Sequence, residues 1–562
     1  MTGLTGIDEL TGLVSHDAFR SWLTSALEEG MKRGASDALT LVYFNVQNFK
    51  GYNEHYGFEA GNELLLLLAD AIEHAYPDCV ASRFAADQFM VATARTHAVK
   101  GINQVRAAFR AHHKDSSIWL KAGLYVTRPG DMDAGVACDR AKLACDDIKG
   151  RRDVFYREYD AELQGKIALH RYVLDHFDEA LEKGWVKIYY QPIVRVASGE
   201  VCDEEALARW VDPVEGLIAP NDFIPVLEEA RLVHRLDLYM VRRACENSAK
   251  LARDGYTILP VSVNLSRIDF ELCDIVEEVK AILSEYGISH NMLSIEVTES
   301  ALAGNQEFLR GEIDRFRDEG FEVWIDDFGS GYSSLAMLTE YSFDLVKVDM
   351  GFLEGFDNGR ASRIMLAHII GMAKELGLKT LVEGVETAEQ YAFLKSIGCG
   401  RAQGFLLGRP ASLAESEQAM ARQLYPRMEL LEKRGFYEDV GRVNLMRPDP
   451  VQLADEPYVP SDVAAAIVRR RGSVYDFLNT SDLFVKFMRD ARIGTPADIE
   501  RILNGDDSKR KRIFERVFDA CIASGTWEHY AMEESGLPCT MRMRCVSNAA
   551  EKNAAAVLII VE

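Results

Sequence analysis

Apolar and polar positions along the chain fall into three regimes. Up to about residue 157, helical and strand-like spacings alternate. HDAFRSWLTSALEEGMKRG and AGNELLLLLADAIEHA repeat apolar residues at helical intervals, whereas ALTLVYFNV and SIWLKAGLYVT read as strands. VASRFAADQFMVATA reads as a hairpin. Its turn, in RFAADQF (83–89), places Ala-Ala-Asp-Gln where positive φ favours Gly, Asn or Asp. A helical stretch, DAGVACDRAKLACDDIKG, closes the block, and the whole predicts an α+β domain over 1–157 with a largely antiparallel sheet.

From 158 to 430 the pattern changes. Strand-like segments (VKIYYQPIV, EVCDEEALARW, ILPVSVNLS, LSIEVTES, FEVWIDDFG, LVKVDM, TLVEGVE and RAQGFLL) are separated by amphipathic helical stretches such as EEVKAILSEYG and IMLAHIIGMAKELG. Eight such units in one block predict a (β/α)8 barrel. A connector is expected over 431–462, ending in the Pro- and Asp-rich MRPDPVQLADEPYVPSD. Beyond it, 463–562 reads as a small α+β domain, helical around VYDFLNTSDLFVKFMRD and KRIFERVFDACIASG and strand-like in its last three segments. The fold class is thus multidomain α/β, with a barrel between two α+β domains.

Composition narrows the partners. The 562 residues carry a formal charge of −24, which argues against a nucleic-acid or anionic-membrane surface. Two short basic runs, Arg469–Arg471 and Lys509–Arg512, read as solvated faces. The longest apolar stretches, LLLLLADAI and AAAVLIIV, fall short of a membrane span, and the first residues carry no secretory leader pattern. Ten cysteines without metal or CxxC spacing fit reduced thiols, so a cytoplasmic location is expected.

The barrel block concentrates polar residues at the ends of its strands: Glu205, Asn264, Glu296 and Glu299, Asp326 and Asp327, Lys347, Glu383 and Glu386, and Gln403. Singly, such residues also serve as helix caps, Asx-turns or solvated ends. Jointly, barrel geometry brings strand ends to one face. Several carboxylates and an amide in one pocket need cations, and oxygen ligands suit Mg²⁺ or Mn²⁺. Adjacent acids can bridge two ions, the arrangement used for phosphoester cleavage.

YYQPIV, EALARW, PNDFIPVLEE, VSVNLS, IEVTES, IDDFGSGYSSL, VKVD, VEGVET and QGFLLGRP occur in order, and the block resembles the EAL phosphodiesterases that linearise cyclic di-GMP. The resemblance implies a modified TIM-type barrel whose first strand runs antiparallel to the rest. It implies two Mg²⁺ or Mn²⁺ ions held by Glu205, Asn264, Glu296, Asp326 and Asp327. It makes Glu383 a further ligand or general base, Lys347 the group that orients water, and Glu299 the support of the DFGSGYSSL loop. Gln191, Leu207, Arg209, Glu386 and Gln403 would contact substrate, Arg209 through a phosphate. A homodimer is implied as well. One departure is Val382, where the family usually has Ala. The implied activity is hydrolysis of cyclic di-GMP to linear pGpG; the alternative is a receptor that binds it without hydrolysis.

DELTGL, FKGYN and RFAADQF resemble the GGDEF domain of diguanylate cyclases. Set against that signature, Ala85 and Ala86 replace the paired glycines, Asp87 keeps a metal-ligand acid, and Gln88 replaces the acid needed for catalysis. Asn45 and Asn62 replace aspartates, while Asn53 matches a guanine contact. An upstream RxxD inhibitory site, which would fall on Tyr76–Cys79, is absent. A degenerate domain is therefore expected, without cyclase activity, serving regulation, dimerisation or weak binding of guanosine triphosphate. The last block resembles a PAS sensor domain only in its terminal strands.

Overall fold

Eight short segments between residues 186 and 402 close into a barrel: β1 (Val186–Arg195), β2 (Val201–Asp212), β3 (Val261–Asn264), β4 (Leu293–Thr298), β5 (Glu322–Phe328), β6 (Leu345–Val348), β7 (Lys379–Val382) and β8 (Arg401–Ala402). The computed structural model describes residues 6–33, 39–112, 118–128, 130–302, 306–329, 334–354, 356, 360–422, 426–444, 464–505, 508–534, 537–549 and 554–561. Contacts divide the chain into two units, Met1–Tyr172 and Val173–Glu562.

Strands β2 to β8 pair parallel with their neighbours, and β1 closes the ring antiparallel to both β2 and β8. The chain dictates this reversal. Only residues 196–200 join β1 to β2, with Gly199 at φ 71°. A parallel crossover needs a dozen residues or more, so so short a link makes a hairpin.

Alternation along the strands stacks the barrel in layers. Trp324, Leu345 and Leu381 belong to a buried apolar cluster. Two positions beyond them lie Asp326, Lys347 and Glu383; two positions before Trp324 and Leu381 lie Glu322 and Lys379. Likewise Asp203 precedes Glu205, and Arg401 precedes Gln403, by two. The early positions form an ionic floor. Lys379 Nζ is 2.7 Å from Glu322, Arg401 Nη1 is 3.3 Å from Asp203, and the Arg401 guanidinium lies 5.2 Å from the Trp324 ring centroid.

The floor is completed from outside the eight strands. The first part of the expected connector is helical, Leu431–Arg442, and its Arg434 and Glu438 enter the floor. Arg434 Nη2 lies 3.0 Å from Asp203, and Glu438 accepts from Lys379 Nζ at 2.9 Å. Three acids thus face three bases, as a buried ionic cluster requires. The opposite face of this helix presents Phe436, Tyr437 and Val440 to Ala465, Ile467 and Leu478 of the C-terminal sheet. Residues 445–463 of the connector lie outside the described residues.

That C-terminal sheet has five strands in the order Val474–Thr480, Ala464–Arg471, Ala554–Val561, Leu537–Ala549, Glu528–Glu534. Two expectations need correction. Val474–Thr480 is a strand, and only Asp482–Asp490 of the expected helical stretch is helix. Gly472, at φ 59°, turns the chain so that Val474–Thr480 pairs antiparallel with Ala464–Arg471. In the Arg469–Arg471 run, Arg471 is exposed as expected, but Arg469 and Arg470 are largely covered and paired. Arg469 Nη2 lies 2.7 Å from Asp476, and Arg470 Nη1 lies 2.5 Å from Asp519. Ala466 and Val468 pack on the helices of one sheet face, while Ala465 and Ile467 pack on the other. A strand covered on both faces reads as an unbroken apolar run, without the alternation that marks a strand.

The first unit holds a six-stranded sheet in the order Val14–Ser15, Val80–Ala85, Gln88–Ala94, Leu39–Gln47, Trp119–Val126, Tyr156–Glu158. Its central strand alternates strictly. Val42, Phe44 and Val46 join a core with Leu64, Leu68 and Ile102, whereas Leu41 and Tyr43 join one with Phe19, Leu23 and Ala141. Helices therefore cover both faces.

Candidate active site

Lys347 lies next to the last residue of β6, with its ammonium inside a cage of carboxylates. Its Nζ lies 2.5 Å from Glu296, 2.9 Å from Asp326, 2.9 Å from Glu383 and 3.5 Å from Glu205. These acids come from β4, β5, the end of β7 and β2, so only closure of the barrel assembles them. Lys347 is 1% exposed. Burial by itself would lower its pKa, but Asp326, Glu205, Glu296 and Glu383 reverse this and hold the ammonium well above its ordinary value. Burial raises Glu296 well above the usual carboxyl range, and Glu205 and Asp326 add to this against the pull of Lys347. Glu383 is pushed up to about 7 by burial, again against Lys347.

Two amides brace Glu205. Gln403 Nε2 donates to its Oε2 at 2.6 Å, and Asn264 Nδ2 to its Oε1 at 3.3 Å. Strand pairing sets these positions: Asn264 lies opposite Glu296, Ser262 opposite Glu205, and Thr298 opposite Asp326.

Adjacent residues of a regular strand point to opposite faces, so Asp326 and Asp327 need a special backbone to serve one site. The register between β5 and β6 shifts by one residue between Ile325 and Phe328, and Asp327 has φ 55°. A bulge with a non-glycine residue in the left-handed region re-aims side chains at a local cost of about 1–3 kcal/mol. Asp326, Asp327 and Glu383 consequently bring ligand oxygens within 4.8 Å of one another. Gly384, at φ 72°, is also required by space: a Cβ there would meet the Met350 Cβ at 2.5 Å.

The donor set fits hard divalent cations. Glu205, Glu296, Asp326, Asp327 and Glu383 face one buried ammonium, which leaves the cluster negative. Glu296 Oε1 is buried without a hydrogen-bond partner among the described residues. Asn264 adds an amide oxygen, and no thiol or imidazole is involved.

Around this centre, Gln191 lies opposite Glu205 across the β1–β2 pair and donates to the Gly408 carbonyl at 3.2 Å. Leu207 and Arg209 follow on β2, both half-buried. Arg209 lies 6.0 Å from the Tyr189 ring centroid and donates to the Ala208 carbonyl. Glu299 is buried and accepts from the Gly329 N–H at 3.1 Å, the entry to the DFGSGYSSL loop, whose residues 330–333 lie outside the described residues. Glu386 is exposed, and its backbone N–H donates to Gln390. Sequence reading passed over the floor residues Asp203, Glu322, Lys379 and Arg401. Their signal was available: each stands two or four positions ahead of a site residue on its strand.

Residues 5–151 match the diguanylate cyclase GGDEF domain family, and residues 175–410 match the EAL domain family. The chain belongs to the tandem GGDEF–EAL proteins. It is 32% identical over 427 residues to the cyclic di-GMP phosphodiesterase NbdA of Pseudomonas aeruginosa, covering 73% of this chain and 53% of that one. It is 30% identical to the cyclic di-GMP phosphodiesterase PdeR of Escherichia coli, covering 75% of this chain and 64% of that one. The chain thus spans about half to two thirds of the length of these relatives. Among solved structures it resembles a cyclic di-GMP complex of the PaMucR phosphodiesterase, at 32% identity and a TM-score of 0.41, over 43% of this chain and 98% of that one.

In the GGDEF domain the hairpin forms as read, with Ala85 ending one strand and Gln88 starting the next. Ala86 has φ 20°, and its carbonyl accepts from Arg83 Nε at 2.9 Å and Nη2 at 2.8 Å. Asn45 pairs with Gln88 in register, and its Nδ2 donates to Asp87 Oδ2 at 3.1 Å. Gln47 Nε2 donates in turn to Asn45 Oδ1. One carboxylate and two amides here make a hydrogen-bonded chain carrying a single negative charge. Asn53 is half-buried on the helix Phe49–Tyr56, and Asn62 is exposed on the next.

Proposed function

We propose that the EAL domain hydrolyses cyclic di-GMP to linear pGpG with two divalent cations, and that the GGDEF domain synthesises none. The observation that carries this reading is the complete acid cage around Lys347. The names of NbdA and PdeR support the substrate. Glu205, Asn264, Glu296, Asp326 and Asp327 would hold Mg²⁺ or Mn²⁺, which when bound polarises a phosphoryl oxygen and acidifies the attacking water. Lys347 keeps the acids from repelling one another and orients that water. Glu383, beside Lys347, receives its proton. Arg209 and Gln191, on the neighbouring strands, bind the substrate's phosphate and orient it. In the GGDEF domain, Asp87 alone supplies too little charge for a Mg²⁺-triphosphate. The C-terminal domain is proposed as a PAS-like input whose helix, Leu431–Arg442, reaches the barrel floor.

The test is to incubate the purified chain with Mg²⁺ or Mn²⁺ and cyclic di-GMP, and separately with guanosine triphosphate. Linear pGpG from the first and no cyclic dinucleotide from the second is expected. Binding without cleavage would replace the enzyme with a receptor, and cyclic product from the triphosphate would overturn the account of the GGDEF domain.

A further inference from the structure

Asp237 lies outside the acid cage, on the helix Val233–Arg253, and Asp269 on the short helix Arg267–Leu272 that follows β3. Both are buried. They converge on one donor: the Ser266 backbone N–H lies 2.8 Å from Asp269 Oδ2 and 3.3 Å from Asp237 Oδ2. Two buried carboxyl groups so close cannot both ionise. Burial, and then Asp269, push Asp237 far above the usual carboxyl range, while burial raises Asp269 to about 6 against a hydrogen bond from Asp237. Asp269 Oδ1 is buried and, among the described residues, receives no N–H or hydroxyl hydrogen bond. A proton on Asp237 lets the two carboxyl groups hydrogen-bond rather than repel. Glu228, on the helix Pro220–Glu229, accepts from Ser266 Oγ at 2.8 Å, so Ser266 is held by three acids.

Ser266 stands two residues past Asn264. Between them, the Leu265 N–H donates to the Glu296 carbonyl at 2.9 Å. The turn that carries Asn264 is therefore pinned on one side by strand β4 and on the other by the clamp on Ser266. We infer that Asp237 is a positioning residue for Asn264: with Asp269 it clamps the Ser266 N–H and so fixes the turn that aims the Asn264 amide at the metal site. Asp237 acts through Ser266 rather than on substrate or ion, and the inference rests on the metal set proposed above.

The experiment measures Mn²⁺ binding to the metal-free full chain by calorimetry, and the Mn²⁺ concentration for half-maximal turnover. In Asp237→Asn the carboxamide donates to Asp269 and accepts from Ser266 without needing a proton, and the Mn²⁺ requirement stays within about twofold of the parent. In Asp237→Ala the Ser266 N–H keeps Asp269 but loses the second arm of the clamp, and the requirement rises about tenfold, as for residues that orient metal ligands. Turnover at saturating Mn²⁺ falls less than affinity does. Parental Mn²⁺ affinity in folded Asp237→Ala overturns the inference, as does a loss in Asp237→Asn equal to that in Asp237→Ala. Should Asp237→Ala fail to fold, Asp269→Asn decides: it weakens the principal acceptor of the Ser266 N–H, so a raised Mn²⁺ requirement supports the inference and an unchanged one overturns it. A parent that binds no Mn²⁺ would instead refute the metal reading itself, so the two failures stay distinct.

Discussion

Replacing Lys347 by Met isolates the charge balance on which the barrel site depends. The side chain is buried, unbranched and close to Met in length, so packing changes little. What disappears is the only ammonium within reach of Glu205, Glu296, Asp326 and Glu383, among the described residues. Each contact is worth several kcal/mol at short range in a protein interior, but the four do not add, because the acids repel one another and burial costs the ammonium its hydration. Removing one partner of a buried pair costs about 3–5 kcal/mol. Proton uptake by one acid limits the loss, which places it at the lower end. In EDTA, urea unfolding followed by tryptophan fluorescence reads this through Trp210 and Trp324, both fully buried in the barrel. At a slope of about 3 kcal/mol/M, the barrel's midpoint falls by roughly 1 M. Mn²⁺ then restores more stability to the variant than it adds to the parent, since the ions supply the positive charge that is missing. Coincident curves for parent and variant in EDTA would refute the reasoning, because the cage would then owe nothing to Lys347.

Two further expectations test other parts of the molecule. Glu205→Ala removes the acid braced by Gln403 and Asn264, and turnover of cyclic di-GMP should fall by at least about a hundredfold, the upper range for disrupted metal sites; preserved turnover in a product assay would show the ligand assignment to be wrong. Lys374 is buried, donates to the Val443 carbonyl at 2.7 Å, and is lowered by burial from 10.5 to about 8. Below pH 8 it is charged in both folded and unfolded chains, and its burial cost is fully felt. As pH rises from about 8 to 10.5 the folded chain loses the proton first, so stability rises. Lys374→Met should therefore stabilise the second unit at pH 7 by up to about 3 kcal/mol, less about 1 kcal/mol for the lost hydrogen bond. The gain should fade by pH 10.5, and a gain independent of pH in denaturation midpoints would contradict this account.

Much of the barrel was legible because each strand is a short, largely apolar run that ends in polar residues. Glu322–Trp324–Asp326 and Lys379–Leu381–Glu383 even encode both charged layers and the apolar layer between them. The antiparallel first strand was expected only from the family resemblance, because periodicity says nothing about direction; its physical cause is the five-residue link from Arg195 to Val201. The C-terminal domain was harder. Its strand Ala464–Arg471 is covered on both faces, so the alternation that marks a strand is erased. The helix Leu431–Arg442 fell in the expected connector, because the partners of its Arg434 and Glu438 lie on distant barrel strands.

The residue types at the strand ends are written in the sequence: seven acids, two amides and a lysine, each held to its strand by local apolar pattern. Whether they meet depends on closure of the ring, because Glu205 and Gln403 lie far apart in the chain and touch only when β1 joins β2 to β8. The tertiary structure alone also decided that Asp326 and Asp327 both serve the site, since a bulge between neighbouring strands is a property of their pairing. It alone showed that Asp237, from a helix, reaches the turn after β3. Local pattern reports how a segment buries its own face; the partners across that face come from elsewhere in the chain, and only packing selects them.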